Sequence, residues 1–282
     1  MAFSSVDGLV SAAQDIPLWQ AVQADDCRDR GVAEEASFTK MASLWTAMKH
    51  SPAQYNPERR SASGLVGGDG AKMESAVDPL CGTFLQSVMT IALKVGECNA
   101  CMGRIVAAPT AGASGVMPAV LLPLQAREER SDSDMIRALY VAAGFGQVIA
   151  TRASIAGAEG GCQAEIGSAS AMAAAALVHL RGGTPLQMAS ACATALQNLM
   201  GLVCDPVGGL VELPCIKRNV IGAMNALSSA DLALAGILSP IPCDEVIDAM
   251  NAVGCALPAS LRETGKGGLA ATPTARKLTQ HL

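Results

Sequence analysis

Residues 160–219 read GGCQAEIGSASAMAAAALVHLRGGTPLQMASACATALQNLMGLVCDPVGGLVELPCIKRN, and the rest of the chain is understood from them. Ala164 to Leu180 is a run of small and apolar residues with nothing to stop a helix until Gly182-Gly183. Thr184-Pro185 then supplies an N-cap and a first-turn proline for a second helix through Met200. The pair predicts a helical hairpin built largely of alanine, so that other helices can approach it closely. Three cysteines flank the hairpin. Cys162 precedes the outbound helix, Cys204 follows the returning one, and Cys215 comes after a turn made by Gly208 and Gly209.

Each of these cysteines has a local context beyond plain packing. Cys162 follows Gly160-Gly161, where missing side chains admit something bulky. Cys204 precedes Asp205-Pro206 and Cys215 follows Pro214, so both stand where helical hydrogen bonding is interrupted or beginning, with free N–H groups near the sulfur. Their spacings are far wider than the close pairs of a zinc knuckle and unlike the compact run of a small ferredoxin. A set of three thiolates gathered by packing would suit a [4Fe-4S] cluster with one iron left open as a Lewis acid. The opposing reading is that they are small apolar core residues, as free cysteines often are. The residues alone leave both open.

Composition bounds the rest. Of 282 residues 50% are hydrophobic, 16% charged and only 3% aromatic, so the interior has to be made of Ala, Gly, Leu, Val and Met. Such a chain is expected to be mainly α-helical and tightly packed, with apolar surface left over for a partner. A net charge of -5 without a basic run gives no grip on a nucleic-acid backbone. The ten cysteines are not read as a disulfide framework, and the start MAFSSVDGLVSAAQD lacks a basic region followed by an apolar run, which points to the reducing cytoplasm. Two stretches, 105–126 and 220–243, are nearly free of charge, but prolines break the first and Asn225, Ser228, Ser229 and Asp231 interrupt the second. Neither is expected to span a membrane. Val141 to Ile149 shows no clean alternation, and no βαβ unit with a dinucleotide loop is present.

In chain order, residues 1–35 form a helical lead with Pro17 as a boundary and Trp19 as a contact group, a candidate subunit-docking segment. Phe38 to His50 predicts a helix with Met41, Leu44, Trp45 and Met48 on one face. The stretch RSASGLVGGDGAKM, 60–73, can curl its glycine backbone into a nest for a carboxylate or phosphate, with Ser61, Ser63 and Lys72 as donors and Asp69 as its one carboxylate. It is not a P-loop, because Met73 stands where Ser or Thr is required. Thr83 to Lys94 predicts a helix ended at Gly96, and the Cys98-x-x-Cys101 beyond it is read as a local feature, not a ligand pair. AAPTAGASGVMP, 107–118, offers Thr110, Ser114 and backbone amides to a pocket. Ser131 and Asp134 form a capping box for a helix from Met135 to Ala143, which Gly144 and Gly146 should interrupt. Lys217, Arg218 and Asn219 open the helix after Cys215, where they suit a substrate carboxylate or the steadying of a negative group. Asp244 is expected to cap a helix through Met250, and His179 is read as structural.

The motifs AEGGCQAEIGSASAMAAAALV, LMGLVCDPVGGLVELPCIKRN, GRIVAAPTAGASGVMPAVL, RSASGLVGGDGAKM and LRETGKGGLAATPTARKL together resemble the alpha chain of the iron-sulfur L-serine dehydratases, or L-serine ammonia-lyases. The resemblance covers essentially the whole chain. It implies conversion of L-serine to pyruvate and ammonia in a single large helical catalytic domain, 36–282, built around an oxygen-sensitive [4Fe-4S] cluster. Cys162, Cys204 and Cys215 match the positions that bind the cluster, and no cysteine after Cys255 closes the fourth iron. The glycine-rich segment of that family lies at the active site, so Ser61, Ser63 and Lys72, with Lys217 or Asn219, are expected to bind substrate. Asp69 is the expected proton-abstracting base, with Glu165 and Glu212 as competitors. Some members are fused chains and others are split, and only the alpha part is resembled here. A beta chain is therefore the expected partner, in a dimer of alpha-beta pairs. Two other readings are a pyridoxal-phosphate dehydratase using Lys72 beside Gly67-Gly68, and an iron-sulfur scaffold or sensor subunit.

Overall fold

A computed structural model describes residues 3–282, so that positions 1 and 2 of the amino-terminal lead lie outside the described residues. Among the described residues there is no strand, only one isolated bridge between Cys204 and Arg262. Helices α1 (Val6–Ser11), α2 (Leu18–Arg30) and α3 (Glu34–Ala53) lead to the short α4 (Asp69–Glu74) and the long α5 (Gly82–Ala100). Next come α6 (Val116–Glu128), α7 (Asp132–Arg152) and the single turn α8 (Gly157–Gly160), then a π-helical turn over Gln163–Gly167 that runs directly into α9 (Ser168–Leu180). The chain continues as α10 (Pro185–Leu199), α11 (Cys215–Leu234), α12 (Cys243–Ala256) and α13 (Pro273–Leu278).

The predicted hairpin is the centre of the molecule. Residues Ser168 to Val178 of α9 are all buried, and α6, α7, α10 and α11 pack around that helix. A helix apolar on every side has no solvent face to offer, so it becomes the axis on which the others are laid. Thr184 caps α10 in a reciprocal box with Gln187, and Pro185 takes the first turn, as the sequence predicts. The Ser131–Asp134 box likewise starts α7.

Three expected helix stops are not stops. Gly96 lies inside α5, where a Cβ would stand 3.1 Å from Ile216 Cγ2 of α11. Gly144 and Gly146 lie inside α7, where Cβ atoms would stand 2.6 Å from Val22 Cγ2 and 2.7 Å from Met172 Sδ. Each glycine costs roughly 1 kcal/mol of helix propensity and returns a closer helix contact, which is the larger effect in so small-chained a core. Asp244 is also used differently from the expectation. Pro242 precedes α12, which runs on to Ala256, while the Asp244 carboxylate accepts the Val6 N–H at 2.8 Å and the Asp7 N–H at 3.1 Å. It thus caps α1, tying the beginning of the chain to a helix near its end.

Val6, Leu9, Leu18 and Val22 join the same core as Trp45, Tyr140 and Phe145, so the amino-terminal helices share the body of the protein. Trp19 is partly buried, with the Arg137 guanidinium 5.1 Å from its ring centre. Trp45 is 1% exposed and donates to Asp132 Oδ1 at 2.9 Å, while Lys49 Nζ reaches Asp132 Oδ2 at 2.6 Å. Hydrogen bonds from Lys49, Gln125 and Trp45 hold the Asp132 carboxyl down at about 2. A depressed carboxylate contributes its stability above its unfolded value, near about 4, and loses it as pH falls through the folded value. Asp132→Asn should therefore lower the melting temperature at neutral pH and show less further loss than the parent between about pH 4 and pH 2 in a thermal-melt series. No helix among the described residues is long and apolar enough to cross a membrane.

Candidate active site

The three hairpin cysteines are gathered at one end of α9 by hydrogen bonds that follow from the sequence around them. Gln163 is the first link. Its N–H donates to Leu202 O at 2.9 Å, its Nε2 donates to Met250 O at 3.0 Å, and its Oε1 accepts the Gly201 N–H at 2.7 Å. This pins the start of the π turn, and Cys162 with it, against the loop that carries Cys204. The Cys204 N–H donates to Leu261 O at 2.9 Å and the Glu263 N–H donates to Cys204 O at 2.8 Å, so the carboxyl-terminal segment is strapped over that cysteine. Cys215 is the first residue of α11.

Cys162 and Cys204 are 2% exposed and Cys215 8%. Burial pushes the Cys162 thiol up to about 11, opposed by the Arg218 charge. It pushes Cys215 to about 12, with Cys162 and Glu165 adding to the effect. Cys204 is raised as well, by burial and then by the charges of Cys162 and Glu263. Cys204 and Cys215 stand in the field of Cys162, and the Arg218 charge does not offset the burial of Cys162 and Cys215.

Two carboxylates share this place. Thr110 Oγ1 donates to Glu165 Oε1, and a Cβ on Gly112 would stand 2.6 Å from the same oxygen, so the 110–115 turn lies directly on Glu165. On the other side, a Cβ on Gly157 would meet Cys204 Sγ at 2.9 Å, Glu165 Oε2 at 3.1 Å and Glu263 Oε2 at 3.5 Å. Glu165 is raised by burial, with the Thr110 hydrogen bond opposing and the Glu263 charge adding. Glu263 holds φ 62, a left-handed conformation that a side-chain-bearing residue adopts only where the surroundings impose it. The sequence shows it only as part of the LRETGKGGLAATPTARKL motif and gives it no role of its own, because the contact joins positions far apart in the chain.

The glycine-rich segment reaches the same neighbourhood from another side. Ser63 Oγ donates to Glu212 Oε2 at 2.5 Å, and Ser61 Oγ lies 2.9 Å from Ser63 Oγ. Glu212 is buried, and its carbonyl accepts the Ile216 N–H in the first turn of α11, beside Cys215. Asp69 and Lys72 face outward: they pair with each other at 2.8 Å, with side chains 43% and 76% exposed. The start of α4 is instead held by Glu97, which accepts the Asp69 N–H at 2.8 Å and the Gly70 N–H at 3.2 Å. Lys217 is exposed on α11. Asn219 is buried, accepting the Gly115 N–H at 2.8 Å and donating to Gly112 O at 2.7 Å and Cys215 O at 3.0 Å. Its polar atoms fix the 110–115 turn to α11.

Cys98 and Cys101 end α5, and the Cys98 thiol donates to Ser51 O at 3.3 Å. Burial, then the charges of Cys101 and Glu97, push Cys98 up to about 11. A helix carboxyl terminus disfavours a thiolate further, the reverse of the setting that activates redox pairs.

The family model described as serine dehydratase alpha chain matches residues 13–270. The chain is 53% identical over 225 residues to the probable L-serine dehydratase, alpha chain, of Bacillus subtilis, an alignment covering 79% of this chain and 75% of that one. It is 51% identical over 199 residues to the L-serine dehydratase, alpha chain, of Peptoniphilus asaccharolyticus, covering 71% and 68%. Against the L-serine dehydratase 1 of Escherichia coli the identity is 38% over 255 residues, covering 90% of this chain and 52% of that longer protein. The match at this level over most of the chain, with the cysteine-bearing core inside it, makes the protein a member of the serine dehydratase alpha chain family.

Proposed function

We propose that the chain is the catalytic part of an L-serine ammonia-lyase, converting L-serine to pyruvate and ammonia with a [4Fe-4S] cluster on Cys162, Cys204 and Cys215. The observation that carries this reading, beside the relatives' names, is the convergence of three buried thiols with Glu165, Glu263 and Arg218 under one strap of chain. The donor set fits the cluster. Thiolates are soft ligands, and as anions these three with two glutamates would face a single nearby guanidinium, a balance that iron would redress. No three His, Cys, Asp or Glu side chains among the described residues stand close enough to hold one metal ion. A cube that offers a separate iron to each thiolate tolerates a wider set. When bound, the cluster supplies a Lewis-acidic iron not covered by these cysteines.

The protein's own groups do the remaining work. The elimination breaks the Cα–H and Cβ–O bonds of serine and releases water, and the aminoacrylate formed tautomerises to an imine and hydrolyses to pyruvate and ammonia. Glu165 is the carboxylate best placed to take the Cα proton, through the Oε2 atom that faces the cysteine side while Oε1 is held by Thr110. Asp69, the base expected from the sequence, is paired with Lys72 on an outer face. Ser61, Ser63 and Lys72, with Lys217 or Asn219, are proposed to hold or position the substrate carboxylate. Alanine at Ser63 should lower kcat/KM with iron content unchanged, and Lys72→Ala should do so less, since its ammonium is exposed. Normal kinetics in both would return the glycine-rich segment to a purely structural role.

The pyridoxal-phosphate alternative loses ground because Lys72 is exposed and ion-paired, whereas a Schiff-base lysine needs an enclosed, neutral setting. A beta chain is proposed as partner, since the relatives are named alpha chains and the Escherichia coli protein is about twice the aligned length. Residues 1–35 are proposed to dock it; among those described, Leu9, Leu18 and Val22 are buried in the core and Trp19 is partly buried against it. Cytoplasmic location belongs to the same proposal. The test is anaerobic purification of the chain with and without its beta partner, followed by iron, sulfide and pyruvate assays. Activity without iron would overturn the cluster, and a colourless, inactive pair would overturn the function.

A further inference from the structure

Arg218 stands on the helix that Cys215 begins and bonds the loop that carries Cys204. It lies one turn beyond Cys215 on α11. Its Nη1 donates to Val203 O at 2.8 Å, next to Cys204, and its Nη2 donates to Asp205 Oδ1 at 2.7 Å. The positive charge of the same guanidinium also bears on Cys162, opposing the upward push of burial on that thiol. Asp205 extends the link, because its Oδ2 accepts the Leu269 N–H at 2.7 Å and so ties down the segment that covers the site. The fit there is close enough that a Cβ on Gly268 would stand 2.3 Å from Oδ2.

The side chains of Arg218 and Asp205 are 14% and 4% exposed. A buried ion pair is a poor source of stability compared with apolar packing, so its presence calls for a role in placing groups. The planar fork of arginine suits that role: it can donate in several directions at once, which an ammonium on a flexible stem does not do with the same geometry.

We infer that Arg218 is the positioning residue that sets Cys162, Cys204 and Cys215 relative to one another before a cluster is present and offsets their negative charge afterwards. This rests on the proposed cluster, and it separates Arg218 from its neighbours. Lys217 points to solvent and Asn219 is committed to the 110–115 turn, so only the residue between them serves the thiols.

The experiment is anaerobic reconstitution of the full chain with ferrous iron and sulfide in the parent, Arg218→Gln, Arg218→Lys and Asp205→Asn forms. Fold is followed by far-ultraviolet circular dichroism, the cluster by iron per chain, visible spectrum and reduction potential. Arg218→Gln should fold, lose cluster retention by about 10-fold or more, and show a shifted potential in the fraction that remains loaded. Arg218→Lys should recover the potential better than the retention, since it keeps the charge and loses the fork. Asp205→Asn keeps the guanidinium while weakening its anchor, and should reduce retention even if Arg218→Gln does not fold. Parent-like retention and potential in Arg218→Gln, or parent-like retention in Asp205→Asn where the glutamine form is unfolded, would overturn the assignment. A parent chain that takes up no iron would instead remove the cluster reading, and this inference with it.

Discussion

Cys204→Ala should give a folded protein that retains no stoichiometric iron and forms pyruvate only at background, whereas Cys192→Ala should keep both. The two cysteines are equally hidden, at 2% and 0% exposure, so burial alone does not separate them. Removing one sulfur from either site should cost about 1 kcal/mol in packing, and both variants should melt only a few degrees below the parent. Their surroundings differ. Cys204 lies beside Cys162, Cys215, Glu165 and Glu263, while Cys192 on α10 has Cys243 as its one cysteine neighbour, and the nearby Asp244 carboxylate is already taken up by the Val6 and Asp7 N–H groups and by Arg152. Cys162→Ala and Cys215→Ala should behave as Cys204→Ala. Iron and labile sulfide per chain, with activity and melting temperature on the same samples, check the comparison; full iron in two of those three alanine variants would end the ligand assignment.

Glu165→Gln should lower kcat by about 10²- to 10⁴-fold while leaving iron content and the visible spectrum unchanged. The amide can still accept from Thr110, so the 110–115 turn and Gly112 keep their places against the side chain, and only the proton-accepting oxygen is lost. Asp69→Asn is the necessary companion, because it removes only the exposed ion pair with Lys72, an interaction worth well under about 1 kcal/mol. Near-normal turnover is expected. The reverse pattern, an active Glu165→Gln and an inactive Asp69→Asn, would return the base to the position that the sequence favours.

The sequence made the hairpin legible because its signals are local. Gly182-Gly183 stops one helix, Thr184-Pro185 starts the next, and the alanine run between Ser168 and Leu180 leaves no polar face to expose. Glycines inside helices were less legible. Gly96, Gly144 and Gly146 read as stops by propensity, and only the partner helices carrying Ile216, Val22 and Met172 explain their presence. Asp244 failed in the same way, since its carboxylate serves a helix at the other end of the chain. At the site, the loop context of the three cysteines left ligand and core readings both open, and it was the family resemblance that marked them as ligands. Arg218 was visible as one member of a polar run with nothing to rank it above Lys217 or Asn219. Its contacts with Val203 and Asp205 depend on how the loop after α10 folds back onto α11, which no spacing reveals. Glu263 was hidden for a similar reason, being brought to Cys204 by the strap of residues 261–263.

The most direct test is pyruvate formation from L-serine by the anaerobically purified chain with its beta partner, followed as iron is withdrawn by a chelator and then restored with sulfide. The account predicts about four iron and four sulfide per chain at full activity, a fall in activity in step with iron, and recovery on reconstitution. Full serine dehydratase activity persisting in the iron-free protein would contradict it.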